Sequence, residues 1–399
     1  MSTLKVNKLR DTAGSADAIV LDPNGGAVLA GIATFRSDVN VPNINGGQIG
    51  GRRNLIINGA MQVAQRGTSV AWASNGYLTC DRWYHTINNS AGRFTSKQTA
   101  DSPDGLGGKC LELDVTTADT SIASNEHSLL QYKFEGQDVQ QLAKGTAGAK
   151  KFTVSFYVKG NGNATYMCEF FDRTNTRLIH QQFSVTSSWS RVTLTFNNET
   201  SNGTLNNDNS HELDMQIWLH AGSDFTSGSY TANTWSGQTN ANRAVGISSL
   251  FSSTDNFFRI TGVQLEVGSQ ATAFEHRSYN EEIKLCERYF QTSFEKGQTP
   301  THGLSKYIYK QGRPYASNVV AGMNHTLRTE MRSTPTLVIY TSSNGSNSTT
   351  NRVSYYDGSW TSGGISVHDS TNTRQFAFDG TLSSTLVLYQ FNFTCEAEL

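Results

Sequence analysis

The run Glu212–His220 carries two kinds of residue in alternation. Leu213, Met215, Ile217 and Leu219 interleave with Asp214, Gln216, Trp218 and His220, and a period of two sends such sets to opposite faces of a sheet. The chemistry open to the second set is sugar recognition. The C–H face of a pyranose packs on an indole, while its hydroxyls take amide and carboxylate partners. Tyr157 holds the comparable face of the run Lys151–Lys159. The competing reading packs Trp218 under a loop or against another subunit, because large aromatics are mostly buried. A second aromatic group, Tyr355, Tyr356 and Trp360, surrounds Asp357-Gly358 beside the polar loop Thr341–Asn351. Loops on a rigid β-scaffold carry recognition. The same residues also describe a plain hairpin with an Asp-Gly turn and cross-strand aromatic packing. The glycan-binding candidates are thus Trp218, Gln216, Asp214, Tyr157, Tyr355, Tyr356 and Trp360.

Other chemistries find less support. Glycoside hydrolysis needs two carboxylates across a cleft; the chain has 33 acidic residues, but none forms a local signature, and Glu169 and Asp172 read as solvated. No nucleophile-elbow, zinc-protease or phosphate-loop pattern occurs, so no catalytic residue is assigned and no enzyme is expected. His85, His127, His180, His211 and His220 are scattered, so a metal cluster would have to be assembled by folding. Asn206-Asn-Asp-Asn209 lacks the spacing of a calcium loop. No metal ligand and no cofactor is assigned. Five cysteines, Cys80, Cys110, Cys168, Cys286 and Cys395, are widely spaced with no C-x-x-C, which indicates buried thiols rather than zinc or disulfides.

The elements that would position these residues are mainly β. The 399 residues suggest two or three modules. Only 16% are charged, with a net charge of −1, so nucleic-acid binding lacks a basic stripe. Apolar residues make up 36%, a low share that fits long polar loops or cores completed by other copies. No stretch is long and apolar enough to cross a bilayer, and the start, Met1-Ser-Thr-Leu-Lys-Val-Asn-Lys-Leu-Arg-Asp, lacks a signal-peptide core; synthesis in a cytoplasm without secretion is expected.

Residues 1–52 alternate short apolar pairs (Leu4/Val6, Ile19/Leu21, Val39/Val41) with turns such as Asp22-Pro-Asn-Gly-Gly and Asn43-Ile-Asn-Gly-Gly, and cannot bury a core alone. They form an extended stalk that pairs with other copies or a partner, or else a disordered tail. Residues 53–275 contain clean period-two runs at Cys110–Val115, Lys151–Lys159, Arg191–Phe196, Glu212–His220 and Phe258–Val267, which predict an antiparallel sandwich or jelly roll. Gly262 sits where the last run changes phase, as a β-bulge requires. Residues 276–293 predict a connecting helix, with Ser278 and Glu281 as a capping box and Tyr279, Ile283, Cys286 and Phe290 on one stripe. Residues 294–399 predict a β-rich tip with strands at Leu304–Tyr309, Pro335–Tyr340, Arg352–Tyr356, Gly364–His368, Arg374–Phe378 and Thr385–Phe393. No solenoid period repeats.

Two groups of motifs resemble a known family. Asn54-Leu-Ile-Ile-Asn-Gly-Ala-Met-Gln-Val, Gln65-Arg-Gly and Asp81-Arg-Trp are similar to the opening of the carbohydrate-binding-like jelly-roll module of bacteriophage tail fibre and minor tail proteins. Val263-Gln-Leu-Glu-Val-Gly, Ala273-Phe-Glu and Cys286-Glu-Arg-Tyr-Phe are similar to its closing strand and exit helix. The start, Ser2-Thr-Leu-Lys-Val-Asn-Lys-Leu, with Gly31–Val41, resembles structural proteins of marine cyanophages. The resemblance implies a homotrimeric tail fibre of the virion, assembled in the host cytoplasm. Residues 1–52 would attach to tail or baseplate proteins, and the distal β-domains would bind a host-surface glycan or lipopolysaccharide, without nucleic-acid binding or membrane insertion. The alternatives are a structural adaptor or baseplate-associated spacer, and a glycan depolymerase.

Overall fold

The protein is described by a computed structural model over residues 52–304, 306–312, 319–341, 352–356, 360–367, 371–381 and 387–399, with five short strands before residue 52. The chain divides into two compact units, Met1–Ile44 and Asn45–Leu399. In the first, Asp17–Leu21 pairs antiparallel with both Lys8–Arg10 and Ala27–Leu29. Ile19 and Leu21 therefore lie in a strand. Leu4/Val6, Val39/Val41, Gly31–Val41 and the turn after Leu21 lie outside the described residues.

The second unit begins with a sandwich of two antiparallel sheets. A six-stranded sheet runs in the order Ser190–Phe196, Phe152–Gly160, Phe257–Val267, Cys110–Thr117, Arg93–Thr99, Ser69–Ala71. A seven-stranded sheet runs Ser236–Gly237, Arg177–Val185, Ala164–Asp172, His211–Ala221, His127–Glu135, Trp83–Asn88, Gly76–Tyr77. The expected alternation generates the core: Phe152, Val154, Phe156 and Val158 pack with Leu213, Met215, Ile217 and Leu219 in one buried cluster. The rings of Phe152, Phe170 and Phe196 meet at 4.9–5.3 Å.

The bulge falls where expected. Ser155 opposes Gln264 and Tyr157 opposes Thr261, so the strand carries an extra residue at the Gly262–Val263 step. Gly262 has φ +61°, and a Cβ there would stand 2.9 Å from Leu106 Cδ1 and 3.1 Å from Tyr157 Cδ2. We expect Gly262→Ala to cost about 1–2 kcal/mol from the left-handed backbone alone. Urea denaturation measures it; an unchanged midpoint would remove the bulge from the list of features that need glycine.

The helix is shorter than the expected 276–293 segment. It spans Tyr279–Glu287, and the Ser278–Glu281 capping box is present in both directions. Phe290 does not continue its stripe, because Phe290–Thr292 leaves the helix as a strand paired with the end of the chain. That end, Val387–Glu396, is the hub of the C-terminal sheet. It pairs with Phe290–Thr292, Ile308–Gly312, Thr336–Tyr340 and Arg352–Tyr356. A second core of Leu337, Ile339, Val353, Phe376, Phe378, Tyr389, Phe391 and Phe393 lies against it. Most expected strands reappear with ends shifted by a few residues; Val319–Thr326, paired with Gln375–Thr381, was not expected. The polar loop Thr341–Asn351 beyond Thr341 and the turn at Asp357-Gly358 lie outside the described residues. All five cysteines are free and buried.

Candidate functional site

The motif residues of the opening segment are spent on holding the unit together. Asn54 donates from Nδ2 to the Val263 carbonyl (3.1 Å) and accepts at Oδ1 from the Leu265 amide (3.1 Å), locking opening to closing strand. Asn58 donates to the carbonyls of Val63 (2.8 Å) and Asp81 (3.0 Å), and its own amide donates to Glu282 of the helix. Gln65 Nε2 donates to Asp81 Oδ2 (2.6 Å) and to the Phe290 carbonyl (2.8 Å).

The two arginines do most. Arg66 lies over the Phe290 ring at 3.7 Å and reaches Glu398 at 3.2 Å. Arg82, 1% exposed, lies over the Tyr289 ring at 3.4 Å, pairs with Glu398, and donates to the Lys133 carbonyl at 2.7 Å. Burial disfavours the charge on Arg82, but Glu398 together with Tyr289, Tyr132 and Tyr77 outweighs it and holds the guanidinium well above its usual range. These motifs therefore clamp sandwich, helix and chain end into one body.

The outer face of the seven-stranded sheet has a covered part and an open part. Asp214, Gln216 and Trp218 do share that face, opposite Leu213, Met215, Ile217 and Leu219. Of the two readings of this row, the one that packs Trp218 under a loop is the one the structure has. The excursion between His211–Ala221 and Phe257–Val267 folds back over it. Trp218 is 1% exposed and packs with Leu129, Met167 and Ala244, with Phe225, Tyr230 and Ile247 against the same cluster. Arg243 caps the row, 4.9 Å from the rings of both Trp218 and Phe171. It donates to Glu169 from Nε (3.1 Å) and Nη2 (2.5 Å) and to Gln216 Oε1 (3.1 Å). Glu169 is thus buried and paired, not solvated as expected, and so is Asp172, bonded to Lys144 at 2.5 Å. Asp214 is also buried. Desolvation pushes its carboxyl up, but His211 and Arg173 outweigh it and hold the group below its usual range.

His220 leaves the row altogether. A register shift opposite Ser128 and Leu129 breaks the alternation, and its ring packs at 5.2 Å against Phe251 of the main core.

Tyr157 lies on the outer face of the other sheet, half-buried, with the Arg191 guanidinium 5.9 Å from its ring. Its surroundings are ion-paired: Lys159–Asp101 and Lys97–Asp114 cross the same surface. In the C-terminal sheet, Arg352–Tyr356 and Trp360–Val367 form the expected antiparallel pair, with Tyr356 opposite Trp360 and Tyr355 opposite Thr361. Tyr356 is 44% exposed. The Trp218 row, Tyr157 and Tyr356 therefore lie in three separate places, and the side chains of Tyr355 and Trp360 lie outside the described residues.

What it assembles instead is a cleft that the sequence did not reveal. Tyr77, Tyr84 and Lys133, on the open part of the seven-stranded sheet, face Thr334, Thr336 and Glu396 across a cleft of ≈ 520 Å³. The Tyr77 and Tyr84 rings meet edge to face at 5.1 Å. Lys133 Nζ stands 3.8 Å from the Tyr84 ring centre and donates to the Leu399 main-chain oxygen at 2.6 Å. Burial pushes the Lys133 ammonium down to about 8, with Asp214 opposing, and burial raises the Tyr84 phenol. Arg332 fixes the far wall by donating to the carbonyls of Ala397 (2.8 Å), Glu398 (2.8 Å) and Asn209 (2.9 Å). The sequence held one signal. Tyr84 follows Asp81-Arg-Trp and Lys133 sits between Tyr132 and Phe134, each on the face opposite core aromatics. Their adjacency depends on pairing Trp83–Asn88 with His127–Glu135, which no local pattern gives.

No family model matches the sequence, and no curated protein matches it. Among solved structures, the chain is similar to the carbohydrate-binding module TmCBM61 in complex with β-1,4-galactotriose, at 10% identity and a TM-score of 0.28, covering 54% of this chain and 99% of that one. It is similar to the family 11 carbohydrate-binding module of Clostridium thermocellum in complex with a β-1,3-1,4-mixed-linked tetrasaccharide, at 13% identity and a TM-score of 0.25, covering 53% and 99%. A CBM22-1 xylan-binding domain from Paenibacillus barcinonensis gives 12% identity and a TM-score of 0.25, covering 52% and 99%.

Proposed function

We propose that this chain is a non-enzymatic, glycan-binding component of a bacteriophage tail fibre, and that the cleft between Tyr77, Tyr84, Lys133 and Glu396 is its sugar-binding site. One observation carries the binding reading. Two tyrosines, an ammonium, two threonine hydroxyls and a carboxylate converge on one open cleft over a rigid sheet, the combination of apolar faces and placed polar groups that small-molecule recognition uses. The fibre setting rests on the motif resemblance. In that setting the chain is a homotrimer on the virion tail, attached through residues 1–52 to tail or baseplate proteins, with a host-surface glycan or lipopolysaccharide as ligand. Both glutamates of the cleft wall lie beside arginine, Glu398 with Arg66 and Arg82 and Glu396 at 3.4 Å from Arg66, which suits binding better than turnover.

A second reading is a structural spacer without receptor binding. It is favoured by the motif residues themselves, which are committed to the clamp rather than to any open surface.

Fluorescent full-length protein on arrays of bacterial polysaccharides and lipopolysaccharides separates the two. We expect selective binding that falls at least ~10-fold in Tyr84→Ala and in Lys133→Met, the size expected for a residue at the centre of a binding site, with unchanged circular dichroism. For an acidic glycan, binding weakens as pH rises through about 8, because Lys133 then loses its proton. A folded protein that labels neither arrays nor bacterial cells supports the spacer. Light scattering checks the trimer.

A further inference from the structure

We propose that Asp119, Glu126 and His220 form a binding site for a divalent transition-metal cation, with Zn²⁺ the best match, inside one end of the sandwich. One donor atom from each lies within 4.8 Å of the others, and all three residues are buried. Donors at about 2.0–2.2 Å from a tetrahedral zinc ion stand about 3.3–3.6 Å apart; His220 Nε2 and Glu126 Oε2 are already at 3.1 Å, and a side-chain movement brings in the third.

The charge balance at the site favours a cation. Asp119 accepts from Ser90 Oγ and from the amides of Ala91 and Ser121. Glu126 lies beside it. Among the described residues no lysine or arginine pairs with either acid; the one basic contact is His220 Nε2, 3.1 Å from Glu126 Oε2. Two adjacent buried carboxylates facing a single imidazole are undercompensated.

A second observation points into the same place. Ser128 Oγ is buried without a hydrogen-bond partner. Ser128 is the direct cross-strand neighbour of His220, so both side chains leave the sheet on one face about 5 Å apart, and its hydroxyl is available as a fourth donor to the ion.

The surrounding groups orient the three ligands as metal sites require. His220 Nδ1 is 2.8 Å from Ser249 Oγ; donation there leaves the Nε2 lone pair for the metal. Asp119 Oδ2 accepts from Ser90 Oγ and the Ala91 amide, both at 2.7 Å. Glu126 Oε1 accepts from the Ala123 amide at 2.9 Å, which leaves Oε2 for the ion. An imidazole among oxygens selects a transition metal over Ca²⁺, which takes oxygen alone. The ion would join the loop at Ser90, the segment before His127–Glu135, the end of His211–Ala221 and the turn at Ser249. The excursion over Trp218 starts from this point, with Gly222 donating to the Glu126 carbonyl at 2.8 Å.

The test uses full-length protein stripped with chelator and dialysed against Zn²⁺, Mn²⁺ or Ca²⁺ in turn, with metal analysis and thermal denaturation. One Zn²⁺ per chain and a raised Tm are expected, with affinity reduced at least ~10-fold in Ser249→Ala and more in Glu126→Gln and His220→Gln. Should the ligand variants fail to fold, Co²⁺ substitution on the unaltered protein decides through its visible absorption. Neither stoichiometric metal nor a Tm change overturns the site. Equal stabilisation by Ca²⁺ alone overturns the transition-metal assignment.

Discussion

Arg82→Met will destabilise the Asn45–Leu399 unit by about 3–5 kcal/mol, the range for removing one partner of a buried ion pair. The side chain is 1% exposed, and that of Glu398, which it neutralises, is 4% exposed. Three losses coincide: the charge partner of Glu398, the donor to the Lys133 carbonyl and the cation on the Tyr289 ring. Arg66 stays within 3.2 Å of Glu398, which keeps the effect inside that range rather than beyond it. Arg82→Lys will not rescue, because an ammonium cannot stack flat and fork toward two acceptors. The double change Arg82→Met with Glu398→Gln will recover much of the loss, since no bare carboxylate is then left in the interior. Urea denaturation with tryptophan fluorescence measures all three. A loss under about 1 kcal/mol in the single variant would mean that the clamp is decorative and that the helix and chain end hold by apolar packing alone.

This clamp explains what was legible in the sequence and what was not. Gln65-Arg-Gly and Asp81-Arg-Trp are distinctive because buried arginines tolerate few neighbours, so the motifs could be found without knowing what they touch. Their partner Glu398 lies more than three hundred residues away and carries no local mark. The alternating runs were readable because the core reads one face of each strand. The strand Ala164–Asp172 was missed because both of its faces are covered, which erases the polar–apolar rhythm. For the same reason Trp218 could be read either as an open platform or as packed under a loop: Asp214, Gln216 and His220 are polar, and sequence cannot distinguish a polar face in water from one under a polar lid. Register defeated the rest. A single extra residue near Leu219 turned His220 inward, toward Asp119 and Glu126, where spacing along the chain gave no hint of a cluster.

Arg243→Met is the second large effect, again about 3–5 kcal/mol, but its signature is local. Arg243 is the one cation bonded to the fully buried Glu169 among the described residues, and it also ties down Gln216 and covers Trp218. Methionine matches the stem of arginine and preserves some of the packing, so the loss reads chiefly the stranded carboxylate. The protein relieves that carboxylate by admitting water, and the route for water is the excursion Gly222–Ile247, held otherwise by the small apolar cluster around Phe225, Tyr230 and Ile247. Hydrogen exchange will therefore accelerate in 222–247 well before global unfolding, and acrylamide will reach a tryptophan that it does not reach in the unaltered protein. Glu169→Gln combined with Arg243→Met will restore slow exchange, because a neutral amide under the same cover needs no counter-charge. If the single variant instead unfolds as one cooperative step with no early exchange in 222–247, the cover is part of the core and the Trp218 face is structural throughout. Early local exchange with little global loss would place the covered sugar-type row within reach of a ligand by a small opening.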